Sequence, residues 1–268
     1  MSSSGGNAGL AAAYAARELG LPCVVVVPGT TPEFIRARLA SYGAEVVVHG
    51  EQWAEANAEA ERRCEATGGA MVHPFEGEAT WRGNATMVDE IKQQLAGRTP
   101  AAIVASVGGG GLLMGVLRGL DRNGWGDAVP AVPCETEGAD CLGAAMAAGE
   151  LVTLPGITSI AKSLGADRAS PTVFDECMRR AERSLVAPWR CSDASAAGAA
   201  VRLAEDHRVL VEPACGAAIA AAYDRAPPLL ELIEGMDESR PVVVVCCGGA
   251  IVTRELLAQW AKIAGCNE

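Results

Sequence analysis

Short valine-rich runs alternate with longer segments rich in alanine and leucine along this chain, and that alternation limits the fold most strongly. The runs 23–27, 101–106 and 242–246 are almost continuously apolar, as is typical of strands that are buried on both faces. Strands that alternate with helical segments predict an α/β fold, with parallel sheets covered by helices. We predict strands at 23–27, 45–49, 70–73, 101–106, 131–134, 209–211 and 242–246.

The length of the chain bears on its domain organisation. It has 268 residues, half of them hydrophobic, which is enough for one large or two modest domains. A polar loop at His73, Pro74 and Phe75 interrupts the alternating pattern. We therefore expect a smaller α/β domain over 1–76 and a larger α/β domain over 77–268.

Charge and cysteine content exclude several classes of protein. The net charge of −11 argues against binding to nucleic acid or to an anionic membrane surface. The longest uncharged run, between Arg98 and Arg118, contains glycine, proline and hydroxyl residues and is a poor membrane span. The ten cysteines include no C-x-x-C pair and only three histidines accompany them, so we expect reduced thiols in a cytoplasmic protein and no structural zinc.

The most informative motif is a run of four glycines, Gly108–Gly111, between a predicted strand and a predicted helix that begins near Leu112. Backbone amides at such a junction converge on an anion, and the helix dipole also favours negative charge there. The motif is neither a Walker loop nor a G-x-G-x-x-G fingerprint. It predicts a phosphate site, and the alternative is a flexible turn packed closely against the helix.

A second candidate site is the segment that contains Ser3, Ser4, Gly5 and Asn7. Hydroxyl and amide groups ahead of a helix suit a carboxylate ligand. The alternative is ordinary capping of the helix by serine or asparagine.

Three further residues lie next to predicted strand ends or helix starts. Cys247 follows a valine run and precedes Gly-Gly, at the sheet edge where α/β proteins bind ligands, but a buried cysteine is also a common small hydrophobe. Glu135 ends another strand, and its alternative is a solvated turn carboxylate. Glu212 precedes Pro213, and for this residue we favour a helix-capping role.

Taken in order, these motifs resemble a known family. Ser-Ser-Gly-Gly-Asn-Ala-Gly, Ser-Val-Gly-Gly-Gly-Gly-Leu-Leu, Val-Glu-Pro-Ala-Cys-Gly-Ala-Ala and Cys-Gly-Gly occur in the same order in the animal-type L-serine dehydratases, which are L-serine/L-threonine ammonia-lyases. The segments 154–165 and 124–127 are similar as well. The resemblance implies a fold-type II pyridoxal-phosphate enzyme, similar to the tryptophan synthase β chain, with two parallel or mixed sheets covered by helices. It further implies a cytoplasmic homodimer of amino-acid metabolism and gluconeogenesis.

The resemblance also implies roles for particular residues. For pyridoxal 5'-phosphate they are Asn7, Gly108, Gly109, Gly110, Gly111, Leu112 and, facing the pyridine nitrogen, Cys247. For the carboxylate of serine or threonine they are Ser3, Ser4, Gly5 and Asn7. For a monovalent cation, with potassium expected, they are Glu135 and the carbonyl groups of Gly108, Ala139, Leu164 and Ala166.

The chain departs from the family at the lysine that holds the cofactor. The family carries it in a Ser-Phe-Lys segment upstream of the Ser/Gly/Asn loop, whereas this chain has only Lys92, Lys162 and Lys262. We therefore expect that the catalytic lysine lies upstream of Met1 and that the chain is truncated at its N-terminus. The implied reaction is elimination of water and ammonia to give pyruvate or 2-oxobutyrate. The alternatives are an inactive protein that binds the cofactor or an amino acid, a serine racemase and a β-replacement synthase.

Overall fold

A computed structural model describes residues 1–234, 236–237 and 239–266. The chain divides into two compact units, Met1–Thr80 and Trp81–Glu268. The division falls slightly after residue 76, because Trp81 is buried in the apolar core of the second unit. Within the described part of the chain, no helix is both long and apolar enough to cross a membrane.

The first unit is built around two parallel strands. Its elements in chain order are α1 (Asn7–Glu18), β1 (Val24–Val27), α2 (Glu33–Ser41), β2 (Glu45–Val48) and α3 (Trp53–Thr67). β1 consists of four valines, whose branched side chains suit a strand, and pairs with β2 in parallel. The predicted strand at 70–73 is wrong, since this segment forms only a single-residue bridge between Val72 and Ser2. Pro74 follows it and has no amide with which to extend the pairing.

The second unit contains a larger parallel sheet. Its strands are β3 (Ala102–Ser106), β4 (Ala131–Thr136), β5 (Trp189–Cys191) and β6 (Val242–Val244), in the spatial order β5-β4-β3-β6. Its helices are α4 (Glu78–Gln94), α5 (Gly111–Arg122), α6 (Cys141–Ala148), α7 (Pro171–Ala181), α8 (Asp193–His207), α9 (Pro213–Tyr223), α10 (Pro227–Ile233) and α11 (Arg254–Ile263). A short 3-10 helix spans Lys162–Leu164.

One strand prediction in this unit is wrong, and one strand of the sheet was not predicted. No strand forms at 209–211, where Val209 and Leu210 are exposed at the surface. β5 instead lies at the edge of the sheet beside β4, with Trp189 opposite Cys134.

The pleat of β3 divides the apolar core of the second unit into two clusters. Ala102 and Val104 belong to the cluster that includes α9, whereas Ile103 and Ala105 belong to the cluster that includes α5. Both faces of β3 are therefore covered, as the continuous apolar run predicted. This arrangement places the end of β3, the start of α5 and the start of α9 at the same edge of the sheet.

Candidate cofactor and substrate sites

The glycine loop joins β3 to α5 in a conformation that only glycine adopts without strain. Gly110 precedes the helix with φ of +101°. A Cβ atom there would lie 2.7 Å from a methyl carbon of Val173. No side chain caps the helix, so its first amides are not satisfied by a conventional side-chain cap.

The carbonyl groups of the glycine loop are held by the protein. Each accepts a hydrogen bond: Gly108 from Cys141 Sγ at 3.5 Å, Gly109 from Ser170 N at 3.0 Å, Gly110 from Met114 N at 2.9 Å and Gly111 from Asn84 Nδ2 at 3.2 Å. These contacts fix the backbone of the loop through one side of its peptide groups. The uncapped amides and the helix dipole then make the other side suitable for a phosphate.

Ser106 adds a polar group that the sequence did not single out. Its side chain lies at the end of β3 and is 5% exposed. Its hydroxyl has no hydrogen-bond partner among the described residues. A buried hydroxyl without a partner costs about 1–3 kcal/mol, so this atom also favours a polar ligand beside the loop.

The Ser/Gly/Asn segment starts α1 in the first unit without conventional capping. Gly6 is the N-cap residue and no side chain caps the helix, so the capping interpretation is wrong. The Ser4 hydroxyl instead accepts a hydrogen bond from Gly6 N at 3.2 Å. Ser3 is fully buried, and its hydroxyl donates to Asn57 Oδ1 at 2.6 Å. Ser4, Gly5 and Asn7 are partly exposed.

Cys247 lies beyond β6 and is exposed, so it is not a buried hydrophobe. Cys215 lies in the first turn of α9, and interaction between the two thiols lowers the pKa of Cys247 and raises the pKa of Cys215. Cys247 therefore presents a thiol group with raised acidity at the ligand edge of the sheet.

Glu212 lies in the same region, and the helix-capping role that we favoured for its side chain is wrong. Its side chain makes no capping hydrogen bond to α9 and is 3% exposed. The carboxylate accepts a hydrogen bond from the Ser163 hydroxyl. A Cβ atom at Gly249 would lie 2.4 Å from Glu212 Cγ, so glycine is required beside this carboxylate. The Glu-Pro pair at a helix start was the signal in the sequence, but its burial was not predictable locally.

Glu135 is buried at the end of β4, with 1% of its surface exposed, and is not a solvated turn carboxylate. Its two carboxylate oxygens accept hydrogen bonds from Leu142 N at 2.9 Å and Gly143 N at 2.7 Å, at the start of α6. Burial raises the pKa of Glu135 to about 7, although the two amides oppose the shift.

The other residues predicted for the cation site lie in the same unit. A Cβ atom at Gly108 would lie 3.2 Å from Leu164 Cα, and Leu164 O accepts a hydrogen bond from Ala166 N at 2.7 Å. Ala139 N donates to Thr136 O directly after β4. In the described residues no group of three or more His, Cys, Asp or Glu side chains is arranged to hold a metal. A cation here would depend on carbonyl oxygens together with Glu135.

The three lysines have ordinary surroundings. Lys92 Nζ donates to Asn123 O at 2.9 Å and lies 5.6 Å from the centre of the Trp125 ring. Lys162 and Lys262 are exposed.

Several known proteins are similar to this chain in sequence and in fold. The model of the family described as "Pyridoxal-phosphate dependent enzyme" matches residues 1–248. A human serine dehydratase-like protein is 46% identical over 261 residues, which cover 96% of this chain and 77% of the relative. Human L-serine dehydratase/L-threonine deaminase is 44% identical over 253 residues, covering 94% of this chain and 75% of the relative.

A solved structure supports the same assignment. The crystal structure of a fungal L-serine ammonia-lyase from Rhizomucor miehei superposes with a TM-score of 0.84 and 35% identity, covering 97% of this chain and 80% of the other. The predicted α/β architecture of parallel sheets and covering helices, that of the fold-type II enzymes, is thereby confirmed. The chain belongs to the family of pyridoxal-phosphate dependent enzymes, in the group that contains the serine dehydratases.

Proposed function

We propose that this protein is a pyridoxal-phosphate-dependent ammonia-lyase that acts on L-serine or L-threonine. The observation that carries the proposal is the uncapped start of α5 within a run of four glycines, in a chain 44% identical to human L-serine dehydratase/L-threonine deaminase. The products are pyruvate from serine or 2-oxobutyrate from threonine, together with ammonia.

The glycine loop is assigned to the phosphate of the cofactor. The amides from Gly108 to Leu112 hold the phosphate at the positive end of the helix dipole. Cys247 faces the pyridine nitrogen, and a thiol there does not force protonation of the ring as a carboxylate does. When bound, pyridoxal phosphate supplies an electron-withdrawing ring that accepts the charge left after removal of the substrate's α-proton.

The segment that starts α1 is assigned to the substrate carboxylate. Ser4, Gly5 and Asn7 are partly exposed and offer hydroxyl, amide and backbone N–H groups. Ser3 belongs to the same carboxylate-binding segment, and its hydroxyl donates a hydrogen bond to Asn57. The resemblance also gives Asn7 a hydrogen bond to the ring oxygen of the cofactor.

The cation site and the assembly belong to the same proposal. Glu135 and the carbonyl groups of Gly108, Ala139, Leu164 and Ala166 hold a monovalent cation, potassium in the simplest case, because oxygen ligands suit a hard cation. The enzyme acts as a cytoplasmic homodimer, and its pyruvate is available to gluconeogenesis.

None of the three lysines is assigned to the cofactor. Lys92 is engaged with Asn123 and the Trp125 ring, and Lys162 and Lys262 are exposed. After incubation of this chain with pyridoxal phosphate and borohydride, we expect mass spectrometry to find no stoichiometric cofactor adduct on any of them. A stoichiometric adduct on one lysine would contradict this assignment.

The decisive experiment measures the products that this protein forms in the presence of pyridoxal phosphate. L-serine is expected to give pyruvate and ammonia in equal amounts, whereas D-serine gives none. Formation of D-serine without pyruvate would favour a racemase. Cofactor binding without any turnover would favour an inactive binding protein, and absence of cofactor binding would refute the proposal.

A further inference from the structure

Three thiols meet beyond the end of β6 in the second unit. Cys246 and Cys247 follow the strand, and Cys215 lies in the first turn of α9. The Cys215 sulfur lies 4.0 Å from the Cys246 sulfur, and interaction with the Cys215 thiol also lowers the pKa of Cys247. The ammonia-lyase reaction proposed above uses neither Cys215 nor Cys246.

The three thiols differ in their access to solvent. Cys215 is fully buried, whereas Cys246 is exposed. A dissolved oxidant can therefore react with Cys246. Cys215 has no access to solvent, but its sulfur can attack the adjacent sulfur of Cys246 after Cys246 has been oxidised. Glu212 N donates to Gly248 O at 3.2 Å and ties the start of α9 to the segment after β6. This backbone contact keeps the two sulfurs adjacent.

We propose that Cys215 and Cys246 form a reversible oxidation site that closes as a disulfide when the protein meets a hydroperoxide. A disulfide needs a sulfur separation of about 2.05 Å, so the two side chains together must close about 2 Å.

The reaction balances in two steps. The Cys246 thiolate attacks the peroxide, the O–O bond breaks, and a sulfenic acid and an alcohol (water, from hydrogen peroxide) result. The Cys215 sulfur then attacks the Cys246 sulfur, the S–O bond breaks, and the Cys215 proton leaves with the hydroxide as water. Two thiols are oxidised by two electrons and one hydroperoxide is reduced. Burial raises the pKa of Cys246 to about 11, so the thiolate is scarce at pH 7 and the reaction needs excess peroxide.

Formation of the disulfide should also weaken cofactor binding, an expectation that rests on the proposed function. Once Cys215 is bonded to Cys246, it no longer carries the thiol whose interaction lowers the pKa of Cys247, the residue proposed to face the cofactor ring. We expect the oxidised protein to bind pyridoxal phosphate several-fold more weakly than the reduced protein.

Peptide mapping after oxidation tests the site without reference to activity. The reduced protein is treated with excess hydrogen peroxide, alkylated and digested without reduction. We expect one linked pair of peptides containing Cys215 and Cys246, and recovery of both thiols with dithiothreitol. Trypsin cleaves after Arg225 and so separates the two cysteines, and fragmentation between Cys246 and Cys247 assigns the bridge.

Two serine variants provide the comparison. Cys246→Ser is expected to abolish the linked peptides while leaving the cofactor affinity of the reduced protein unchanged. Cys266→Ser removes an exposed cysteine elsewhere and is expected to form the bridge as the parent does. A bridge from Cys215 to Cys247, a bridge between chains, or sulfinic acid without a bridge would overturn the proposal. Because the readout is mass, failure of the ammonia-lyase assignment would leave this result intact.

Discussion

Gly110 is the residue on which the shape of the glycine loop depends most. Its φ of +101° and the closeness of Val173 leave no room for a side chain. We expect Gly110→Ala to cost about 1–3 kcal/mol of unfolding free energy through backbone strain. It should also weaken pyridoxal-phosphate binding at least tenfold, because the amides of the loop move. Titration of cofactor fluorescence and denaturant unfolding measure the two effects.

Gly124→Ala is the matched control for that substitution. Gly124 has φ of +75°, and a Cβ atom there would meet nothing within 4 Å. This variant should share part of the loss in stability but bind the cofactor as the parent does. Equal loss of binding in both variants would contradict a specific role for the glycine loop.

Glu59 gives the first unit a stabilising charge whose effect depends on pH. Hydrogen bonds from Arg62 and Arg63 lower its pKa from 4.5 to about 2. A carboxylate with a lowered pKa stabilises the folded state above its unfolded pKa and loses this effect as pH falls through the folded value. We expect Glu59→Gln to lower the melting temperature at pH 7 and the difference from the parent to shrink between pH 4.5 and 2. Glu65→Gln, at an exposed site on the same helix, should show little difference at any pH.

For individual residues, the sequence predicted the position of a side chain in the fold but not whether that side chain is buried. The positions of Glu135 and Glu212 beside a strand end or a helix start were readable from the sequence. Their burial was not, because it depends on the start of α6 around Glu135 and on Ser163 and Gly249 around Glu212. Ser106 gave no separate signal, because the lack of a hydrogen-bond partner for its hydroxyl depends on the tertiary structure around the end of β3.

Helix α9 packs so closely on α8 that one of its glycines is required. A Cβ atom at Gly216 would lie 2.0 Å from the backbone oxygen of Ala196. In an open helix, glycine to alanine stabilises by about 1 kcal/mol. Here we expect Gly216→Ala to destabilise by about 1–3 kcal/mol, because α8 must move. Gly83→Ala, where a Cβ atom meets nothing within 4 Å on α4, should instead stabilise; denaturant unfolding at 25 °C compares them. Stabilisation by both would contradict the close packing.

An unbroken apolar sequence, rather than the length of the element, explains which strands were predictable. The apolar runs at β1, β3 and β6 gave strong signals because their side chains are buried or partly buried along the whole strand. β5 spans only Trp189–Cys191 and carries the exposed Arg190, so its pairing with β4 is decided by tertiary contacts. The short apolar segments at 70–73 and 209–211 also have sequences typical of strands, but neither pairs with another strand in the structure.

At the scale of the whole molecule, the order of the motifs carried more information than any single motif. The glycine run alone was also compatible with a flexible turn that binds no ligand. Cys247 alone was also compatible with an ordinary residue of the apolar core. Four motifs in one order identified the family, which the family model over residues 1–248 confirms. The roles of the individual residues remain proposals, because they depend on where the atoms of a ligand lie.

Ligand-dependent stability tests those roles in the whole molecule. A ligand that binds only the folded state stabilises it by about 2.7 kcal/mol at a concentration of 100 times its Kd. If the glycine loop holds the phosphate, pyridoxal 5'-phosphate should raise the melting temperature by about 5 °C or more, and pyridoxal, which lacks the phosphate, should raise it far less. Unspecific attachment to Lys92, Lys162, Lys262 or the N-terminal amine is open to both aldehydes, so it does not distinguish the two compounds. Gly110→Ala should remove most of the difference between the two compounds. Equal shifts with pyridoxal and its phosphate would show that the phosphate is not bound, and the glycine loop would lose its proposed role.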